Sequence, residues 1–178
     1  LPALNKAREK AKTNLCMGNL KQLILANLSY CGDNADYLLR PYYSDSPAWT
    51  MLLERGGYGV NYKISYCPIY KVPAASSYRY HSYGMAWDAG TQTNADAAWK
   101  PIKLVDKRLM PPSKRWFLAD SISKGWWSEW RQSFRIDFFA GGTYRTHLRH
   151  ENNRFANRAY LDGSVRKERF TEIAYPFI

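Results

Sequence analysis

The 178-residue chain is poor in the residues that most chemistry requires: three histidines, three cysteines, and 15 acidic residues against 26 basic ones. No CxxC pair exists, and Cys16, Cys31 and Cys67 are too few and too irregularly spaced for a zinc motif, so no metal is expected. No apolar run approaches the ~20 consecutive residues that a bilayer-spanning helix takes. Ser121 follows Asp120 but has no Gly-x-Ser-x-Gly setting, so nothing marks it as a nucleophile. A hydrolase would have to recruit His147, His150, Asp120 and Asp162 as ligands or as a base with its orienting carboxylate. The two histidines are three apart in a Gly-, Thr- and Arg-rich stretch where helical facing is not assured, and Asp162 is better explained by a turn. No catalytic residue and no cofactor are expected, and His150 reads as a structural residue hydrogen-bonded near a hairpin.

The shortage of acid leaves a formal charge of +11, which invites a polyanion. The basic residues are spread along the chain at Lys6 to Lys12, Lys100 to Lys107, Arg145 to Arg158 and Arg166 to Arg169, without a nucleic-acid motif, so no nucleic-acid partner is expected. Aromatics are abundant instead, at 16%, as in β-rich chains and chains with aromatic surfaces. Trp126, Trp127 and Trp130 are the candidate ligand surface. Adjacent strand residues point to opposite faces, so one of the pair is a candidate for exposure, with Arg131 and Arg135 nearby. That gives an alternative function, an extracellular or periplasmic glycan- or protein-binding module; the competing reading makes all three core.

The clearest element is Leu1 to about Tyr30. Leu4, Ala7, Ala11, Leu15, Leu20, Leu23, Ile24, Asn27 and Leu28 recur at spacings of three and four, with Lys6, Arg8, Glu9, Lys10, Lys12 and Lys21 between them. This predicts a long amphipathic helix that Gly18 interrupts at most locally, stopped at Cys31-Gly32-Asp33-Asn34. Residue 1 lacks a polar cap, so the helix is expected to continue upstream. Leu15, Leu20, Leu23, Ile24 and Leu28 are expected to lie on a sheet, and Leu1, Leu4, Ala7 and Ala11 to protrude toward neighbouring subunits. Cys16 and Cys31 are fifteen residues apart on or near this helix, about 22 Å at 1.5 Å per residue, so any disulfide must use Cys67. Which partner it takes is open; Cys31, at the helix end, has the freer backbone, and in a reducing compartment all three cysteines are small core residues.

After the helix, Ala48 to Glu54 predicts a short second helix, and strands are predicted within Lys63 to Tyr70, Tyr78 to Trp87, Arg115 to Ala119 and Phe134 to Phe139. Arg154 to Leu161 and Ser164 to Phe170 flank Asp162-Gly163, the pair favoured by a two-residue type I′ hairpin. The whole reads as one α+β domain: helix 1–30, then a β-rich head over 31–178 with an antiparallel sheet.

The opening Leu1-Pro2-Ala3-Leu4-Asn5-Lys6-Ala7-Arg8-Glu9-Lys10-Ala11 and Cys16-Met17-Gly18-Asn19-Leu20-Lys21-Gln22-Leu23 resemble the helix of bacterial type II secretion pseudopilins. Further patches are similar to members of that family: Tyr66-Cys67-Pro68, Ser82-Tyr83-Gly84-Met85, Leu118-Ala119-Asp120-Ser121, and a C-terminal signature of His150, a spacer, and Asp162-Gly163. The spacer holds eleven residues, longer than the family's usual one, with the extension placed around Asn152 to Arg154. The resemblance implies a pilin-like fold and a precursor that prepilin peptidase cleaves and methylates. It also implies anchoring in the inner membrane with the head in the periplasm or outside the cell, and polymerisation with other pseudopilin subunits into a filament that supports protein export. Major pseudopilins hold calcium through clustered carboxylates; no such cluster is present, so no calcium ligand is carried over.

Overall fold

The computed structural model describes residues 2–41, 48–69, 82–87, 103–105, 110–123, 132–133, 135–137 and 144–169. Its first element, α1 (Pro2–Asp33), is a single unbroken helix that passes through Gly18 and Gly32. It ends at Asp33, inside the expected Cys31-Gly32-Asp33-Asn34 stop; just beyond, Ala35 (φ 52°) and Asp36 (φ 65°) turn left-handed and Asp36 N donates to Cys31 O at 2.9 Å. From Thr13 onward α1 buries Thr13, Cys16, Asn19, Leu20, Leu23, Ile24, Ala26, Asn27 and Cys31, a stripe at helical spacing. Leu20, Leu23 and Ile24 are fully buried, each contributing about 1.5–3 kcal/mol relative to exposure. Among the described residues no helix is long and apolar enough to cross a membrane.

A short helix α2 (Trp49–Arg55) buries Trp49 and Leu53 in the same core. The strand expected from Lys63 is replaced, over its described part, by a 3-10 turn at Tyr62–Ile64 and further turns. Asn61 caps that turn by accepting from Lys63 N at 2.9 Å, a local side-chain bond that competes with strand pairing.

The strands are β1 (Gly84–Trp87), β2 (Trp116–Ala119), β3 (Ser121–Ser123), β4 (Arg135–Asp137), β5 (Tyr144–Thr146), β6 (Phe155–Tyr160) and β7 (Val165–Arg169). They form a five-stranded sheet ordered β4-β1-β2-β6-β7 and a two-stranded one, β3-β5. The fold is therefore α+β, but the large sheet is mixed and not antiparallel, because β4 lies parallel to β1. Parallel neighbours need a crossover and leave no hairpin signal in the sequence; here β2 and β3 intervene between them. Helix α1 lies against β2, β6 and β7.

The β6-β7 hairpin closes differently from the predicted two-residue turn. Tyr160 N donates to Ser164 O and Gly163 N to Tyr160 O, both at 2.9 Å, so the loop is Leu161-Asp162-Gly163 with only Gly163 at positive φ (82°). This is the three-residue loop that ends on a left-handed glycine. Gly163 O accepts from Lys21 Nζ at 2.8 Å and docks the turn on α1.

Candidate functional site

Four chain segments meet beneath α1. Cys16 comes from the buried face of the helix, and Cys67 follows the 3-10 turn, its N–H donating to Gln132 Oε1 at 3.1 Å. Asp120 is the single residue between β2 and β3, where the strand leaves one sheet for the other: Ala119 pairs with Arg158 of β6, and Ser121 pairs with Thr146 of β5. Its backbone joins both sides, N donating to Asn157 O at 3.1 Å and O accepting from His147 N at 2.9 Å. His150 precedes β6 and is followed by three left-handed residues, Glu151, Asn152 and Asn153 (φ 49°, 61° and 60°). That tight reversal, bridged by Phe155 N donating to His150 O, holds the ring under the helix. It coincides with the stretch where the sequence places the longer spacer.

Cys16, Cys67, Asp120 and His150 all have zero exposure, and one ligand-type atom from each lies within 4.8 Å of the others. His150 Nε2 is 3.0 Å from Asp120 Oδ2 and 3.7 Å from Cys67 Sγ, while Cys16 Sγ donates toward Asp120 Oδ1 at 3.5 Å. Around them, Asn157 N donates to Asp120 Oδ2 at 2.8 Å, Arg149 Nε lies 3.7 Å from Asp120 Oδ1, and Tyr83 OH donates to Cys16 Sγ at 3.2 Å. Arg149 also donates to Gln132 Oε1 at 3.2 Å and to Ser121 O.

The electrostatics follow from burial and from these contacts. Burial disfavours the Asp120 carboxylate, but its hydrogen bond to His150 and the Arg149 charge outweigh that and hold it below the usual carboxylate range. His150 is likewise opposed by burial yet raised to about 9 by Asp120 and Cys67. Burial also opposes the Cys67 thiolate, but hydrogen bonds from Cys16 and His150 bring that thiol down to about 6. Burial pushes the Cys16 thiol well up. His147, outside the cluster, is depressed to about 4 by burial and by Arg149.

This geometry differs from a nucleophile–base–carboxylate relay. Such a relay uses opposite ring nitrogens, whereas Cys67 and Asp120 both address Nε2 of His150, and Nδ1 faces Thr13 Oγ1 at 3.2 Å. The Thr13 hydroxyl donates to Glu9 O at 2.9 Å, which leaves its lone pair for an Nδ1–H.

The expected site residues fall in separate places. On α1, Leu4, Ala7 and Ala11 are exposed; Leu1 lies outside the described residues. Leu20, Leu23 and Ile24 are in the core, and Leu28 is half-buried beside Gly163. Leu15 does not pack on the sheet: it is 56% exposed, because about 100° per residue turns it away from the face carrying Cys16, Leu20 and Leu23. The Cys31–Cys67 bridge is not formed, and all three cysteines are free and buried. Cys67 sits beside Cys16, and one continuous helix carries Cys31 about 22 Å away from Cys16. Asp162 is exposed and accepts from Ser164 N at 2.9 Å, away from His150. Trp126, Trp127 and Trp130 lie outside the described residues.

Sequence spacing hid the buried cluster, since its members are separated by 104, 83 and 30 residues in the Cys16–Asp120, Cys67–His150 and Asp120–His150 pairs. One signal was available. The patches at Cys16, Tyr66-Cys67-Pro68, Ser82-Tyr83-Gly84-Met85, Leu118-Ala119-Asp120-Ser121 and His150 each supply a residue to it, Tyr83 through its hydroxyl.

Helix α1 also carries a second pattern. Leu4, Ala7, Ala11, Leu15, Gly18, Gln22, Leu25 and Ser29 fall within about 40° of one line along the helix, roughly opposite the buried stripe. All eight are exposed and none is charged, on a helix otherwise rich in lysine and arginine. No protein-family model matches this chain, and no curated protein or solved structure is similar enough to match it.

Proposed function

We propose that the chain is a pseudopilin-like structural subunit that assembles through α1 with the same helix of other subunits, as part of a filament supporting protein export from the cell envelope. The observation that carries this reading is the uncharged stripe from Leu4 to Ser29 on the side of α1 turned away from the head. A helix that covers a sheet needs one apolar face; a second, uncharged face of mostly small and apolar residues spaced by three and four is what helix-on-helix packing uses. Residues 2–12 add to it, since they extend about 16 Å of helix at 1.5 Å per residue before the first buried position, Thr13. The resemblance of the helix sequence to pseudopilins gives the occupant of that face: neighbouring subunits, delivered after prepilin peptidase has processed a precursor held in the inner membrane. No catalytic step is part of this function.

The test is mass spectrometry of the mature N-terminus of the full-length gene product expressed in its host. A removed leader and a methylated new end are the expected result. An uncleaved end, or one cut by signal peptidase, would overturn the proposal.

A further inference from the structure

We propose that Cys16, Cys67, Asp120 and His150 form a closed, tetrahedral Zn2+ site that fastens α1 to the head. The inference goes beyond assembly and is independent of it, because every donor lies inside one chain.

The distances carry it. Bonds of about 2.3 Å to sulfur and about 2.0–2.1 Å to nitrogen or oxygen, at tetrahedral angles, set sulfur roughly 3.6 Å from nitrogen or oxygen, and nitrogen about 3.4 Å from oxygen. With Oδ2 as the ligand atom of Asp120, the observed separations are 3.7 Å from Cys67 Sγ to His150 Nε2, 3.9 Å from Cys16 Sγ to Asp120 Oδ2, and 3.0 Å from His150 Nε2 to Asp120 Oδ2. The nitrogen–oxygen pair opens by a few tenths of an ångström, and the four atoms, all within 4.8 Å of one another, close on the ion by up to about 1 Å. Two thiolates with an imidazole and a carboxylate are a donor set that selects zinc over harder ions.

The surroundings meet the requirements of such a site. His150 Nδ1 is engaged by Thr13 Oγ1, which presents the Nε2 lone pair to the cluster. Asp120 Oδ2 is oriented by Asn157 N–H, and Tyr83 OH addresses Cys16 Sγ. Asn157 Nδ2, now 2.9 Å from His150 Nε2, has to give way to the ion. Two thiolates and one carboxylate around Zn2+ leave one negative charge, and the Arg149 guanidinium 3.7 Å from Asp120 balances it. Two protons leave on binding, one from Cys16 and one held by the Cys67–His150 pair, and no electron moves. A Cys16–Cys67 disulfide is the competing use of these sulfurs, but it would employ two of the four converging groups and leave His150 and Asp120 facing a neutral bridge.

The experiment uses the full chain, purified without chelator and refolded with one equivalent of Zn2+ or Co2+. Expected are one zinc per chain by elemental analysis, and alkylation of Cys16 and Cys67, but not of Cys31, that quickens when a chelator removes the ion. The Co2+ form should show tetrahedral d–d bands with thiolate charge transfer, unchanged in Cys31→Ser. A folded chain that takes up no zinc overturns the proposal, as does a peptide map joining Cys16 to Cys67, or a Co2+ spectrum without thiolate charge transfer.

Discussion

Asp120 Oδ2 lies 3.0 Å from His150 Nε2 in a core where neither side chain has any exposure, and this contact joins the point where a strand changes sheets to the loop that leads into the C-terminal hairpin. Zero exposure makes it costly to break. Asp120→Ala leaves Arg149 and His150 without their carboxylate, and removing one partner of a buried pair costs about 3–5 kcal/mol. Denaturant unfolding should show that loss, whereas Asp162→Ala, at an exposed turn, should lose about 1 kcal/mol or less.

His147 sets an acid limit. Its folded pKa is depressed to about 4 from 6.5, so the unfolded chain binds the extra proton first. The contribution is fully present above 6.5 and is lost as pH falls toward 4. Its Nδ1 is buried with no hydrogen-bond partner among the described residues, in keeping with a neutral ring. Replacing it as His147→Gln should flatten the fall in stability between those pH values by on the order of 1–2 kcal/mol, read from urea midpoints across the range.

Two glycines separate steric from backbone strain. A Cβ at Gly84 would stand 2.5 Å from Ile136 Cγ1 and 2.6 Å from Ser121 Cβ, so Gly84→Ala should cost about 1–3 kcal/mol by overpacking. At Gly163 the nearest atom is an ordinary 3.6 Å away but φ is +82°, so Gly163→Ala should cost roughly 1 kcal/mol through the backbone alone. Thermal unfolding of the two variants tests the distinction, and a neutral Gly84→Ala would contradict the close approach of β1 to β3 and β4.

The helix was legible because periodicity is local: Leu20, Leu23 and Ile24 announce their buried face from spacing alone. Leu15 misled, because a helix with two uncharged faces reads as one broad apolar set until the sheet shows which half it covers. The Asp162-Gly163 turn was visible in position, but its loop length depended on whether Tyr160 pairs with Ser164, a choice made by the register of β6 on β7. The parallel β1-β4 pair and the Cys16–Cys67–Asp120–His150 cluster were illegible for one reason: both are made by chain segments far apart in sequence, and a count of three irregular cysteines does not show that two of them meet a histidine and an aspartate.

Leu15→Asp and Leu20→Asp separate the proposed assembly role from folding most directly, when filament recovery from the full gene product in its host is measured beside the unfolding midpoint of the 178-residue chain. Leu15 is exposed, so its replacement should leave the midpoint within about 0.5 kcal/mol of wild type while abolishing assembly; Leu20 is in the core, so Leu20→Asp should unfold the head itself. Filaments recovered at wild-type levels from a folded Leu15→Asp subunit would contradict the assignment of the outer face of α1 to assembly.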